Sequence, residues 1–295
     1  MNTLIANQYG RVEGEAGRNA LTLSVTAQTP RRESVQLQTC IDSVEQQLHL
    51  LAILRAVERR IEQFQLHDAK TSQTGEQESP FDETVSSEAD LFTSNGSSSK
   101  NKIYGRFSQF LVYEQVDQGR LRVFFAVRDE AKRVARFDLH PGEVQAMHTL
   151  AKRALFACKQ VDLLLRDDLS LSVALNVSCQ GLRFDVQTPL WHSQFVITKA
   201  NDLATLSVFT HRAINQEKTI PIRFGDDANH IGLRKRNDGQ VLAEFHYGES
   251  MERIPLSTLQ LYELEILAQF ALHRAFEPPS FAADNHQPPE TATAA

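Results

Sequence analysis

The sequence predicts an α+β protein: two strand-rich antiparallel sheet units, each closed by a C-terminal helix, preceded by a long amphipathic helix. Three observations carry the prediction. Apolar and polar residues alternate with a period of two in runs set off by Gly- or Asp-containing turns. A Gly- and Pro-free stretch from Cys40 to Leu66 places apolar residues at helical spacing instead. Finally, the chain carries one phrase twice. "RFDLHPGEVQAMHTLAKRALF" from Arg136 and "RIPLSTLQLYELEILAQFALH" from Arg253 both pass from a strand end into an amphipathic helix.

Residues 1–66 hold the first elements. "ALTLSVTAQ" from Ala20 puts Leu21, Leu23 and Val25 on one side and Thr22, Ser24 and Thr26 on the other, as a half-buried strand does. The helix expected over 40–66 lines up Ile41, Val44, Leu48, Leu51, Leu54, Val57, Ile61 and Phe64. Such a stripe either packs within its own domain or pairs with a second copy of itself, since it is nearly heptad. Residues 67–99 are polar, acidic and rich in Ser. They cannot bury enough apolar area to offset the entropy of ordering, so a disordered linker is expected. Phe81, Leu91 and Phe92 within it read either as a docking motif for a protein partner or, more commonly for such residues, as contacts with the parent domain.

The first repeat is expected over 100–165. "RFSQFLVYE", "RLRVFFAVR" and "KRVARFDL" read as strands joined by the turns at Val116–Gly119 and Asp129–Ala131. Pro141 then opens a helix, with Glu143 suited to its positive end, expected to run to about Leu165. The second repeat is expected over 166–276. Its early part adds strands that complete a sheet. "HIGLRKRN", "QVLAEFHY" and "MERIPLS" then lead into a helix ending at Phe276, and Gly239 aligns with Gly119 as Arg253 does with Arg136. Residues 277–295 read as a second disordered segment.

At 295 residues the chain can bury a sizeable core, and its composition is that of a globular protein, with 41% hydrophobic and 23% charged residues. No apolar run approaches the roughly 18 residues of a membrane span, and Met1–Arg18 lacks the pattern of a secretory signal. The three cysteines, Cys40, Cys158 and Cys179, are scattered and odd in number. A reducing, cytoplasmic (or nucleoid-associated) setting is expected. The formal net charge is −6, but it is unevenly spread. Of 31 Lys and Arg and 37 Asp and Glu, 23 and 20 lie between Lys100 and Phe276, leaving 8 and 17 for the flanks. The body is therefore mildly basic and the flanks are acidic.

Catalytic signatures are missing: there is no phosphate-binding loop, no dinucleotide fingerprint and no nucleophile elbow. His140 and His148 lack ligand-spaced companions. The loop "FGDDANH", with Asp226, Asp227 and His230, could hold a divalent ion but reads more simply as turn chemistry. No enzyme activity, metal or cofactor is expected.

One strand carries a surface chemistry. In "RLRVFFAVR", Leu121, Val123, Phe125 and Val127 form an unbroken apolar face, while Arg120, Arg122, Phe124, Ala126 and Arg128 form the other. Three guanidinium groups and a ring on one sheet face suit single-stranded nucleic acid: cations for phosphates, an aromatic for bases. Lys102, Tyr104 and Arg106 lead into the neighbouring strand, and Lys132 follows the next turn. The second repeat offers Arg234, Lys235 and Arg236, with Arg234 and Arg236 expected on one face. The same residues would also serve simply to keep a sheet soluble, paired with Glu114, Asp129 or Glu244.

The repeated passage from a last strand, through a polar or Pro-containing turn, into a helix resembles the Whirly, Pur-alpha and positive-cofactor-four group of single-stranded nucleic-acid binders. The resemblance covers roughly Lys100 to Phe276. It implies curved antiparallel sheets crossed by helices, homo-oligomers built through helices, and sheet faces that bind single strands with little sequence preference. The expectation is thus a non-enzymatic single-stranded DNA- or RNA-binding protein of replication, recombination or transcription, its acidic linker open to a protein partner. The rival expectation is an assembly component that uses the 40–66 helix and sheet edges.

Overall fold

Four successive units share one order, four antiparallel strands and then a helix. The computed structural model describes residues 1–71 and 101–276, apart from 8–9, 18–19, 30–32, 107–108, 118–119 and 179. The first unit comprises β1 (Asn2–Asn7), β2 (Gly10–Ala16), β3 (Leu21–Gln28), β4 (Ser34–Ile41) and α1 (Val44–Thr71). The second comprises β5 (Asn101–Arg106), β6 (Phe110–Asp117), β7 (Arg120–Arg128), β8 (Val134–Asp138) and α2 (Pro141–Phe156). The third comprises β9 (Val161–Asp167), β10 (Ser172–Ser178), β11 (Gly181–Gln187), β12 (His192–Ile197) and α3 (Ala200–Ile214). The fourth comprises β13 (Ile222–Gly225), β14 (Asn229–Lys235), β15 (Val241–Tyr247), β16 (Ser250–Leu256) and α4 (Thr258–Phe276). Each sheet is a meander, with strands in sequence order.

The α+β class, the antiparallel sheets and the closing helices are as the sequence predicts, but the unit occurs four times and not twice. Residues 1–41 form a complete sheet rather than a single strand. The stretch read as one second repeat holds two, because "ANDLATLSVFTHRAI" is a helix and not further strands. Its Leu203, Leu206, Phe209 and Ala213 are buried at helical spacing. Two boundaries also move. Cys40 and Ile41 end β4, and α1 begins after Ser43, whose Oγ accepts the Gln46 N–H at 3.4 Å. The helix from Pro141 stops at Phe156 and not near Leu165, because Val161, Leu163 and Leu165 alternate inward as β9. The expected linker begins later than His67, since α1 runs to Thr71. Residues 72–100, with Phe81, Leu91 and Phe92, and the tail 277–295 lie outside the described residues.

The helices are exchanged between neighbouring units. α2 lies over β1, β2 and β3 of the first sheet, whereas α1 lies over β5 and β7 of the second. Two glycines show how close the crossings are. A Cβ on Gly14 would sit 2.5 Å from Leu150 of α2, and one on Gly105 would sit 1.9 Å from Ile53 of α1. The second pair repeats the exchange: α4 covers β10 and β11 of the third sheet, and α3 covers β13 of the fourth. The pairs meet where α1 packs on α4.

That packing accounts for the apolar stripe of α1. Leu48, Leu51, Leu54 and Val57 are fully buried within this chain, which satisfies the first of the two readings of the stripe. α4 is enclosed further, with every residue from Leu261 to Ala268 buried, Glu263 and Glu265 included. Each buried carboxylate meets a histidine. His49 Nδ1 of α1 lies 3.0 Å from Glu263, and His211 Nδ1 of α3 lies 3.1 Å from Glu265. A charge buried without such a partner would be costly.

Candidate nucleic-acid interface

Helices cover one face of each sheet and leave the opposite face without a helix. On the second sheet the register sets that face in rows, because residues paired across strands share a side. One row runs Arg106, Leu111, Ala126, Arg136 across β5, β6, β7 and β8. The next holds Tyr113, Phe124 and Asp138, and Gln115 pairs with Arg122 beyond it. Arg120 and Arg128 extend the face along β7. The structure therefore places Arg120, Arg122 and Arg128 on one face, as the alternation implies, and adds Arg106 and Arg136 from the flanking strands.

Phe124 requires a correction. It lies on the arginine face, but its ring is 1% exposed rather than presented to solvent. It stacks on Tyr113 with centroids 5.1 Å apart, inside a small apolar cluster with Leu111 and Ala126. The guanidinium carbons of Arg122 and Arg136 stand 5.0 and 4.8 Å from its centroid. The ring is thus a bed for two arginines and not a platform for a base. Arg122 also pairs with Asp138 at 2.5 Å.

Tyr104 and Lys102 belong to the other side. A bulge between Ile103 and Gly105 shifts the register, and Tyr104 packs against the main core beneath α1. Its hydroxyl donates to buried Glu114, which also accepts from Arg60 Nε of α1 at 3.1 Å. Burial and this bond to a carboxylate push the Tyr104 phenol well above its usual range, so it stays protonated. Lys102 pairs across the ladder with Glu114, and its Nζ lies 5.3 Å from the Tyr104 ring. Lys132 is exposed in the Asp129–Arg133 turn with a left-handed backbone, φ 62°, off the strand face. Glu114 and Asp129 are engaged by Arg60 and by Arg133, at 3.1 and 2.7 Å, and not by the face arginines.

The second cationic stretch divides. Arg234 is on the outer face of the fourth sheet, where its Nε reaches Glu244 at 2.8 Å. Lys235 faces the helix side, and its Nζ donates to the Glu217 carbonyl at 3.3 Å. Arg236 falls past the end of β14 in a turn beside Asp238 at 3.6 Å, so it does not share the strand face of Arg234. Sequence reasoning missed Arg253, which forms an ion pair with Glu244 at 2.8 Å, and Arg223 on β13. The alternation of "MERIPLS" places Arg253 on the polar side, but only the ladder register places it beside Glu244.

The loop after β13 is turn chemistry. Asp226 accepts from the backbone of Ala228 and Asn229 at 2.9 and 2.6 Å, and Asp227 pairs with Arg223 at 2.8 Å. Among the described residues no group of three or more His, Cys, Asp or Glu is placed to hold a metal ion, and no helix is long and apolar enough to cross a membrane. Compared with known proteins, the chain matches no family model, no curated protein and no solved structure.

Proposed function

We propose that this protein binds single-stranded nucleic acid on the outer face of its second sheet. One observation carries the reading: Arg106, Arg120, Arg122, Arg128 and Arg136 share that face, two of them laid on the Phe124 ring. A guanidinium stacked on a ring has already lost much of its rotamer freedom, so less is lost when it meets a phosphate. Antiparallel sheets crossed on one face by helices also fit what the resemblance to the Whirly and Pur-alpha group implies. Replication, recombination or transcription are the processes such binding would serve.

In the rival reading, an assembly component, Leu48, Leu51, Leu54 and Val57 of the α1 stripe are already engaged within the chain. That reading retains a groove between α3 and β13, where Val208 and Ile220 are 52% and 77% exposed. A homo-oligomer or a protein partner would engage that groove.

The test is fluorescence anisotropy with a labelled oligo-dT of about 30 nucleotides, beside a duplex control. Tight binding to the single strand alone is expected, with log affinity falling by about 0.7 per phosphate contact as log salt rises. Replacing Arg120, Arg122 and Arg128 with Glu should weaken it by at least about tenfold without altering the particle's size. Absence of binding at low salt, or binding unchanged in the variant, rejects the reading.

A further inference from the structure

The four sheets can be compared row by row, because each last strand ends in, or is followed directly by, a buried apolar residue: Ile41, Leu139, Ile197 or Leu256. Three residues before it stands the outward residue Gln38, Arg136, Gln194 or Arg253. The rows through these positions differ by unit. In the first sheet the row is Thr3, Glu13, Ser24, Gln38, and in the third it is Leu164, Ala174, Asp185, Gln194. In the second it is Arg106, Leu111, Ala126, Arg136, and in the fourth Arg223, Gly232, Glu244, Arg253. The even units alone carry an arginine at both ends of the row, so each exchanged pair holds one cationic face and one neutral or acidic face.

The cationic faces differ at one position. Where the second sheet has Ala126, the fourth has Glu244, whose Oε1 accepts from Arg234 Nε at 2.8 Å and lies 2.8 Å from Arg253 Nε in an ion pair. One anionic oxygen held between two guanidinium groups is the arrangement a phosphodiester oxygen takes in such a fork. The geometry points to a second polyanion-binding face on the fourth sheet, with Glu244 standing where a backbone phosphate of a single strand would bind. The inference rests on the proposed function and deepens it: the chain holds two strand segments, and the second is admitted only in competition with Glu244. The carboxylate lowers affinity on this face and favours strands able to offer closely spaced phosphates.

The experiment uses the full chain with Arg120, Arg122 and Arg136 replaced by Glu, so that only the fourth face remains. Its residual binding to labelled oligo-dT is compared with that of the same protein carrying Glu244→Gln as well. Releasing two guanidinium groups should tighten binding about tenfold at low salt, and steepen the log–log salt slope by about 1.4, or 0.7 for each new phosphate contact. Thermal melting confirms that both variants are folded. Should Glu244→Gln fail to fold, Arg253→Gln in the same background replaces it and should weaken residual binding several-fold. Unchanged affinity and slope in the folded variant overturn the inference. If the unmutated protein binds no oligonucleotide at any salt, the functional reading itself has failed. If it binds and these variants change nothing, only the second face is lost.

Discussion

At the scale of single residues, the outer face of the second sheet places polar chemistry on an apolar support. Phe124 and Tyr113 are stacked and buried on the side away from the helices, where a meander usually shows solvent only polar groups. Removing the Phe124 ring deletes that stack and the bed under Arg122 and Arg136. Phe124→Ala should cost about 3–5 kcal/mol in urea unfolding, as a buried Phe truncation does. A cost near zero would show that the ring is not packed as described. His148 gives a pH-dependent counterpart. It lies on α2 beside Arg55 and Leu51 of α1, and burial holds its pKa below the ordinary value. Nearby Arg55 and Lys152 act in the same direction, while Glu58 opposes them. A depressed histidine means that the unfolded chain takes up the proton first, so stability falls as pH drops from about 6.5 toward the folded value. Melting temperatures at pH 7.5 and 5.5 should therefore converge in His148→Gln more than in the unmutated protein. An identical loss in both would place the acid sensitivity elsewhere.

At the scale of elements, what could be read from the sequence followed from how cleanly each period stood apart from its neighbours. The strands from Arg120 and Gln240 stand between clear turn residues, and Leu121, Val123, Phe125 and Val127 of the first share the helix-covered face as expected, although Phe124 on the other face is buried too. β9 was hidden because Leu150, Ala154, Cys158 and Val161 continue a helical spacing across the true break, and no Gly or Pro marks residues 157–160. α3 was hidden because "LATLSVFTHRAI" mixes Thr, Val and Ile with its apolar stripe, residues that favour strands. For the site, alternation alone assigned Arg120, Arg122 and Arg128 to one face. Register was needed for Arg136 and Arg253, and a helix from another unit for the engagement of Glu114 by Arg60. Tyr104 was misassigned because a bulge, invisible in the pattern, turns it toward α1.

At the scale of the whole molecule, α1 and α4 join the two exchanged pairs, with His49 and Glu263 across the junction. A chain ending at residue 157 would keep the first pair and lose the partner of α1. The exposed stripe should drive it to self-associate, read as a dimer or larger species by light scattering. A well-folded monomer would mean that the junction contributes little to stability. The exchange of helices also sets an order in time. As the polypeptide leaves the ribosome, the fourth sheet emerges after α3, the helix that covers it, and the second emerges after α1. The first sheet ends at Ile41, but its cover ends at Phe156. At about 5–20 residues per second, that is a wait on the order of ten seconds with an apolar face open. The odd units are thus the vulnerable ones during synthesis. Ribosome-bound chaperones would be needed most while the first hundred or so residues are in view.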